Sequence, residues 1–342
     1  MQALIKEQAA PGAVLVEDAP RPAPAADEVL IEVAGTSVCG TDRHLYEWTQ
    51  SAQDFHPVLP LVFGHETAGT VVSVGDAVRA VAVGDRVSLE THVFCGRCYP
   101  CRTGDAHNCA QMELLGLTRA GAFADYVAAP ERVCFVLPDE VTLAAAALFE
   151  PAGVGVRALE RAGPLLGESV LVSGCGPIGL LVIRLCQIAG AARIFASEPV
   201  SEKRDRAAAL GAIAIDPAHA DLADACAYLR RGGVDVAFEC SGAPQALPAV
   251  MAAVRREGRV VTIGHPGEPV AIDLAATINK GGVTLTGVFG RGIWSSWETL
   301  AELVVSRRLD LEDFITSRMP LTRFEQAIEA MATEPGKVLL LP

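Results

Sequence analysis

The chain has 342 residues, 51% hydrophobic and 20% charged, with a formal net charge of -13; this is length for about two domains with a large buried core. The acidic balance excludes nucleic acid and anionic membrane surfaces as partners, and apolar runs such as Leu143 to Phe149 stop far short of the ~20 residues that span a bilayer. The N-terminus MQALIKEQAAPG lacks the basic stretch, apolar core and cleavage site of a secretory leader, so a cytoplasmic protein is expected, whose ten cysteines are metal ligands or core thiols.

From the N-terminus, the Ala/Pro-rich run Ala19 to Ala26 reads as a rigid surface connection. Short strands bounded by turn residues follow: Val29 to Gly35, Thr67 to Gly75, Gly84 to Glu90 and Phe123 to Pro130. Between them lie three groups with metal-ligand chemistry. Cys39 follows the first strand in VCGTDRH, and His65 and Glu66 stand in GHE. Cys95, Cys98, Cys101 and Cys109 are spaced C-x2-C-x2-C-x7-C in a turn-rich loop. Four thiolates complete a tetrahedral zinc, so that site is predicted to be closed and structural. A thiolate, an imidazole and one carboxylate would instead leave a coordination position open, as a catalytic zinc requires. Glu150, in FEPAG, stands where the composition changes and is placed in sequence to reach a cleft between the halves. Taken singly, each of these has a plainer reading: Cys39 as a core thiol, His65 as a hydrogen-bonded buried imidazole, Glu66 and Glu150 as salt-bridged surface groups.

After residue 150 strand and helix alternate. Ser169 to Ser173 is an apolar strand, Pro177 to Gly190 a helix with proline in its first turn, Arg193 to Ser197 a strand, and Ser201 to Leu210 a helix with Ser201 as N-cap. Strand Val234 to Cys240, helix Gln245 to Arg255 and strand Gly258 to Gly264 continue the pattern, which predicts an α/β fold with a doubly wound parallel sheet. VLVSGCGPIG places Gly174, Gly176 and Gly179 as G-x-G-x-x-G between a strand and a helix, where the backbone approaches a dinucleotide pyrophosphate and the helix N-terminus faces its charge. Glu198, at the end of the next strand, is placed to accept from the adenosine ribose hydroxyls and to repel a 2'-phosphate, which favours NAD over NADP. Helices at Ser295 to Ser306 and Arg323 to Met331 and a strand in KVLLL close the chain.

The order CGTDRHLYEW, GHE, four-cysteine loop and G-x-G-x-x-G resembles the zinc-containing medium-chain alcohol dehydrogenases over essentially the whole length. Within that family CGTDRHLYEW with its spacer to GHE, ETHVFCGRC, Glu150-Pro151 and VFGRGIWSSWETL resemble the threonine 3-dehydrogenases most. The resemblance implies a GroES-like β-rich catalytic domain over 1–150, completed by 291–342, and a Rossmann NAD-binding domain over 151–290. It implies two zinc ions per chain: a structural one on the four cysteines, and a catalytic one on Cys39, His65 and Glu66 with Glu150 as an alternative or exchanging ligand. Thr41 and His44 match the family's proton relay. Pro177, Ile178, Lys203, Ile263, Gly264, His265, Val288 and Phe289 match positions beside the cofactor, and His92 a histidine near the substrate. The reaction implied is hydride transfer from a secondary alcohol to NAD, with L-threonine the substrate expected; the alternatives are another polyol, cyclitol or amino-alcohol substrate, or a dinucleotide-binding sensor without turnover. A small-molecule alcohol, no nucleic acid, no membrane and a homo-oligomer, a tetramer by family resemblance, complete the expectation. One stretch departs from the threonine enzymes: Gly153-Val154-Gly155-Val156 stands where they carry an asparagine.

Overall fold

A computed structural model describes residues 1–227 and 231–342. The chain divides into two units, one of residues 1–151, 292–332 and 337–342, the other of residues 152–291 and 333–336. Among the described residues no helix is long and apolar enough to cross a membrane.

The first unit is built on a seven-stranded sheet whose central member is the ten-residue strand Glu28–Ser37. Val29, Ile31 and Val33 point the same way along it and pack with Val71, Val87, Leu89 and Val127 from neighbouring strands, as the two-residue period of a strand requires. A second cluster joins Phe63, Phe123 and Phe324, whose rings meet edge to face with centroids 5.2 to 5.4 Å apart. Burying such a ring contributes about 1.5–3 kcal/mol. Register decides what this sheet carries at its end. Ser37 pairs with Glu66 of the strand Glu66–Val74 on one side and with Leu339 of the final strand Lys337–Leu341 on the other. Cys39, Glu66 and Lys337 are thereby brought to one corner although they lie far apart in sequence.

The second unit holds a six-stranded parallel sheet in the order Ile213–Ile215, Arg193–Ser197, Ser169–Ser173, Val234–Glu239, Val254–Thr262, Thr284–Gly287. By chain position that order is 3-2-1-4-5-6, the arrangement of dinucleotide-binding sheets. Strands buried on both faces read as unbroken apolar runs, such as Val170, Leu171 and Val172, all fully buried. Two details differ from expectation. The helix expected to reach Arg255 ends at Ala253, because Val254 turns extended and pairs with Val234. Ser201 is the first helical residue and not the cap: Val200 holds that place, and the Ser201 hydroxyl donates to Glu202.

Candidate active site and cofactor crevice

Cys39 and Asp42 start the helix Gly40–Glu47, the Cys39 amide donating to Asp42 Oδ2 at 2.8 Å, a side-chain cap from the third helical residue. The helix ends at Trp48, which takes the left-handed conformation (φ 57°) without being glycine. This short helix fixes Thr41, whose Oγ1 lies 3.7 Å from Cys39 Sγ, and the exposed His44, whose Nδ1 is 3.0 Å from Thr49 Oγ1. Gly64, at φ 90°, turns the chain so that His65 and Glu66 face the same corner; a Cβ there would strike the Phe123 ring at 2.6 Å.

One ligand atom from each of Cys39, His65 and Glu66 falls within 4.8 Å of the others, a spread compatible with the roughly 3.5 Å between ligands of a tetrahedral zinc. His65 is buried, and its Nδ1 makes no hydrogen bond among the described residues; Asp42 Oδ1 stands 3.4 Å away. Burial opposes a charge on this ring, but the Asp42 carboxylate prevails and raises the imidazole well above its usual range. An unsatisfied buried ring nitrogen beside a carboxylate suits a metal-ligating histidine oriented by an outer carboxylate. Asp42 thus both caps the helix and stands beside His65. Glu66 is gripped by Lys337, whose Nζ is 2.6 Å from both carboxylate oxygens, so it is salt-bridged as the plain reading has it, but buried and not on the surface. Glu150 lies outside the trio, buried in the first turn of the helix Phe149–Ala162, and accepts from Thr91 Oγ1 at 2.7 Å. Sequence reasoning missed Lys337, Ser37, Thr91 and Thr49, none of which lies in a metal-ligand pattern.

His92 is buried, not a solvated loop residue: its Nδ1 meets Glu90 Oε1 at 2.7 Å, and the other Glu90 oxygen accepts from Trp297 Nε1 at 2.9 Å. Trp297 packs with Phe135 and Phe149 at centroid distances of 5.5 and 5.9 Å. Replacing Trp297 by Phe keeps the aromatic packing but withdraws a donor from a fully buried carboxylate, so thermal unfolding is expected to register a loss of about 1–3 kcal/mol.

The four sulfurs of Cys95, Cys98, Cys101 and Cys109 also cluster within 4.8 Å, with Cys98 Sγ 3.3 Å from Cys101 Sγ and 3.7 Å from Cys109 Sγ. Tetrahedral zinc thiolates stand about 3.8 Å apart, so the cluster fits the ion. Gly96 and Gly104 adopt positive φ at the turns, and Cys98 caps the helix Tyr99–Thr103. Backbone amides aim at the sulfurs: those of Cys95 and Gln111 donate to Cys109 Sγ at 3.2 and 3.3 Å. Amides of Arg97 and Cys98 lower the Cys95 thiol to about 6, while burial pushes Cys101 up to about 12. A knuckle with so many donors is prepared for thiolate charge.

In the second unit the sites gather at the carboxyl ends of the parallel strands, where such sheets bind ligands. Gly176 caps the helix Pro177–Ile188, and a Cβ there would meet no atom within 4 Å, leaving room for a pyrophosphate at the helix N-terminus. Gly179 is required for the opposite reason, since a Cβ would lie 1.8 Å from Gly174 O. Pro177 and Ile178 are half-buried in the first turn. Glu198 is buried and held by the amides of Cys175 and Val200 at 2.7 and 3.0 Å. Arg204 donates to the carbonyls of Glu198 and Pro199 at 2.8 and 2.9 Å and pairs with Asp216 at 3.3 Å, so its charge is already engaged; Lys203 is half-buried on the same helix. Ile263, Gly264 and His265 follow the fifth strand and Val288 and Phe289 the sixth, with Ile263 and Val288 buried and His265 and Phe289 exposed. A separate cavity of about 180 Å³, lined by Leu4, Tyr46 and Phe324 among others, includes none of these residues.

A model of the alcohol dehydrogenase GroES-like domain matches residues 25–139, and one of the zinc-binding dehydrogenases matches residues 177–306. The L-threonine 3-dehydrogenase of Pyrococcus abyssi is 41% identical over 100% of this chain and 98% of its own. The chain belongs to the zinc-binding medium-chain alcohol dehydrogenases. Among solved members, an alcohol dehydrogenase from Thermus sp. ATN1 is 27% identical with a TM-score of 0.90, and the 2R,3R-butanediol dehydrogenase of Bacillus subtilis 30% identical with 0.89; each comparison covers 100% of this chain and 99% of the other. This medium-chain dehydrogenase is thus a zinc- and NAD-dependent oxidoreductase with a GroES-like unit and a Rossmann unit. Replacing Glu198 by Ala is expected to weaken NAD binding about tenfold or more, as loss of charged hydrogen bonds does, and to narrow the preference over NADP, read from fluorescence titration with both reduced cofactors.

Proposed function

We propose that this dehydrogenase oxidises the 3-hydroxyl of L-threonine to 2-amino-3-oxobutanoate with NAD. The observation that carries the reading is the full-length similarity to L-threonine 3-dehydrogenases, at 41% for the Pyrococcus abyssi enzyme. Cys39 and His65, with a carboxylate from Glu66 or Glu150, hold the catalytic zinc. Bound there, zinc supplies a Lewis acid that acidifies the substrate hydroxyl, and NAD accepts the hydride. Thr41 Oγ1, next to Cys39 Sγ, takes up the hydroxyl proton and passes it on. His44 Nδ1 is engaged with Thr49 Oγ1, so Nε2 is the atom that receives the proton and releases it to water. Asp42 keeps the His65 ring oriented. On the other unit Gly174, Gly176 and Gly179 admit the pyrophosphate, Glu198 binds the ribose, and Pro177, Ile178, Lys203, Ile263, Gly264, His265, Val288 and Phe289 border the cofactor. Residues 1–150 with 291–342 form the catalytic domain and 151–290 the NAD-binding domain. On the family resemblance alone, the enzyme is a cytoplasmic homotetramer.

A diol or polyol substrate is the second reading, favoured by the 30% identity to the butanediol dehydrogenase and by the missing asparagine at Gly153-Val154-Gly155-Val156. There Gly153 lies against the side chain of the buried Arg291, a Cβ meeting Arg291 Cδ at 2.8 Å. NADH formation from L-threonine, 2,3-butanediol, sorbitol and inositols, with zinc content measured, separates the two. Threonine is expected to lead in kcat/KM by at least about tenfold, the discrimination that polar recognition groups readily supply; a diol ahead of threonine would establish the second reading.

A further inference from the structure

Lys6, the last residue of the strand Ala3–Lys6, is fully buried, and among the described residues it forms no ion pair. A buried charge must be met by other means. Its ammonium donates to three backbone carbonyls, those of Ala10, Gly12 at 2.8 Å and Tyr46 at 3.1 Å, which uses every N–H it has. It also lies 5.4 Å from the centre of the Trp48 ring, within the reach of a cation–π contact. Ala10 and Gly12 follow the strand, whereas Tyr46 and Trp48 stand at the end of the helix Gly40–Glu47, where a cation suits the exposed carbonyls. Lys6 thus ties that helix end to the N-terminal strand. What it holds there is a turn. Trp48 is left-handed at φ 57° and ψ 46°, a conformation that a β-carbon disfavours and that persists only where the surroundings impose it. Through this turn the chain doubles back, so that the Thr49 amide donates to His44 O at 3.1 Å and Thr49 Oγ1 stands 3.0 Å from His44 Nδ1. With Trp48 in an ordinary conformation Thr49 would leave His44, and either ring nitrogen could face outward.

We propose that Lys6 is a positioning residue for the proton relay: seated between the Tyr46 carbonyl and the Trp48 ring, its ammonium holds the left-handed turn that returns Thr49 to His44, and so keeps Nδ1 occupied and Nε2 the exchanging nitrogen. The inference rests on the relay of Thr41 and His44 proposed above. Lys6 touches no reacting atom and acts through Trp48 and Thr49. The hydrogen bond on one imidazole nitrogen decides what the other can do, so a group that secures that bond governs the proton path without lying on it.

The test measures NADH formation, from the alcohol that leads the comparison above, with and without N-methylmorpholine as an added base. Zinc per chain, NADH affinity and the ¹⁵N shifts of the His44 ring, assigned by their loss in His44→Ala, are read on the same samples. Lys6→Met removes the ammonium at similar length. Its kcat is expected to fall about tenfold, part of the factor that a positioned base contributes, and to recover as the base is added, with zinc and NADH binding as in wild type. The single His44 tautomer of the wild type should become a mixture. Thr49→Val, which withdraws only the hydroxyl facing His44, is expected to do the same. A Lys6→Met kcat within about twofold of wild type, below what a displaced base costs, overturns the inference, as does a loss that added base leaves in place or that comes with depleted zinc. A Thr49→Val protein with wild-type kcat and a single tautomer also overturns it, whatever Lys6→Met does. Should Lys6→Met fail to fold, Lys6→Gln, whose amide still offers N–H donors to the carbonyls, is held to the same outcomes. His44→Ala without a loss that the base restores overturns the relay itself, an outcome separate from a working relay indifferent to Lys6.

Discussion

Alanine at Cys39 or His65 is expected to abolish turnover, lower zinc from two ions per chain to one, and leave NADH binding within about threefold, a change of under 1 kcal/mol. Loss of a catalytic metal removes several kcal/mol of charge stabilisation, or about three orders of magnitude in kcat. Among the bonds and ion pairs described, His65 is the group that meets Asp42 Oδ1, at 3.4 Å, so its removal takes a ligand from the ion and the neighbouring imidazole from that buried carboxylate oxygen. Cofactor binding persists because the glycine turn and Glu198 belong to the other unit, with its own core around Leu171, Phe195 and Val260. Metal analysis, NADH fluorescence and activity on the same sample check the expectation; parallel loss of NADH binding would show instead that the substitution unfolds the chain.

Serine at Cys98 should act on stability. Cys98 contributes a sulfur 3.3 and 3.7 Å from two others and stands at the N-cap of Tyr99–Thr103 without a side-chain capping bond, so serine keeps the helix start and removes only the thiolate. Metal bound in a closed site contributes directly to folding. Without the ion, the amides that lower the Cys95 thiol would surround unneutralised or reprotonated sulfurs with no shared centre. A loss of about 4–5 kcal/mol is expected, which for a chain of this size lowers the melting temperature by roughly 6 °C. Scanning calorimetry with zinc quantified before and after is the measurement, and an unchanged melting temperature would refute a structural zinc there. Activity in whatever remains folded at low temperature should survive, since Cys39 and His65 are untouched.

How far the site could be read from sequence depended on the range of each constraint. The four cysteines occupy one loop, so spacing alone defines their chemistry, and the glycine turn with Glu198 is likewise confined to one strand-turn-helix-strand passage. The helix Gly40–Glu47 escaped notice because it is only eight residues long and ends on Trp48 in a left-handed conformation where a glycine would have signalled the stop. Its one signal was Asp42 three residues beyond Cys39, the spacing of a cap. The end of Ala246–Ala253 was misplaced because Val254 pairs with Val234, a choice made by the sheet against local helix preference.

By itself the sequence determined the family pattern, the strand-helix alternation of the second unit, the thiolate knuckle and the cofactor turn, because each is written in neighbouring residues whose geometry is local. Only the tertiary structure decided that Lys337 grips Glu66, 271 positions away, that Thr91 holds Glu150, and that Trp297 and His92 share the two oxygens of Glu90. Those pairings follow from sheet register and buried packing. A lysine opening KVLLL looks like any exposed strand end until antiparallel pairing through Leu339 and Ser37 brings it beside a buried carboxylate, where the low dielectric makes a single ammonium decisive.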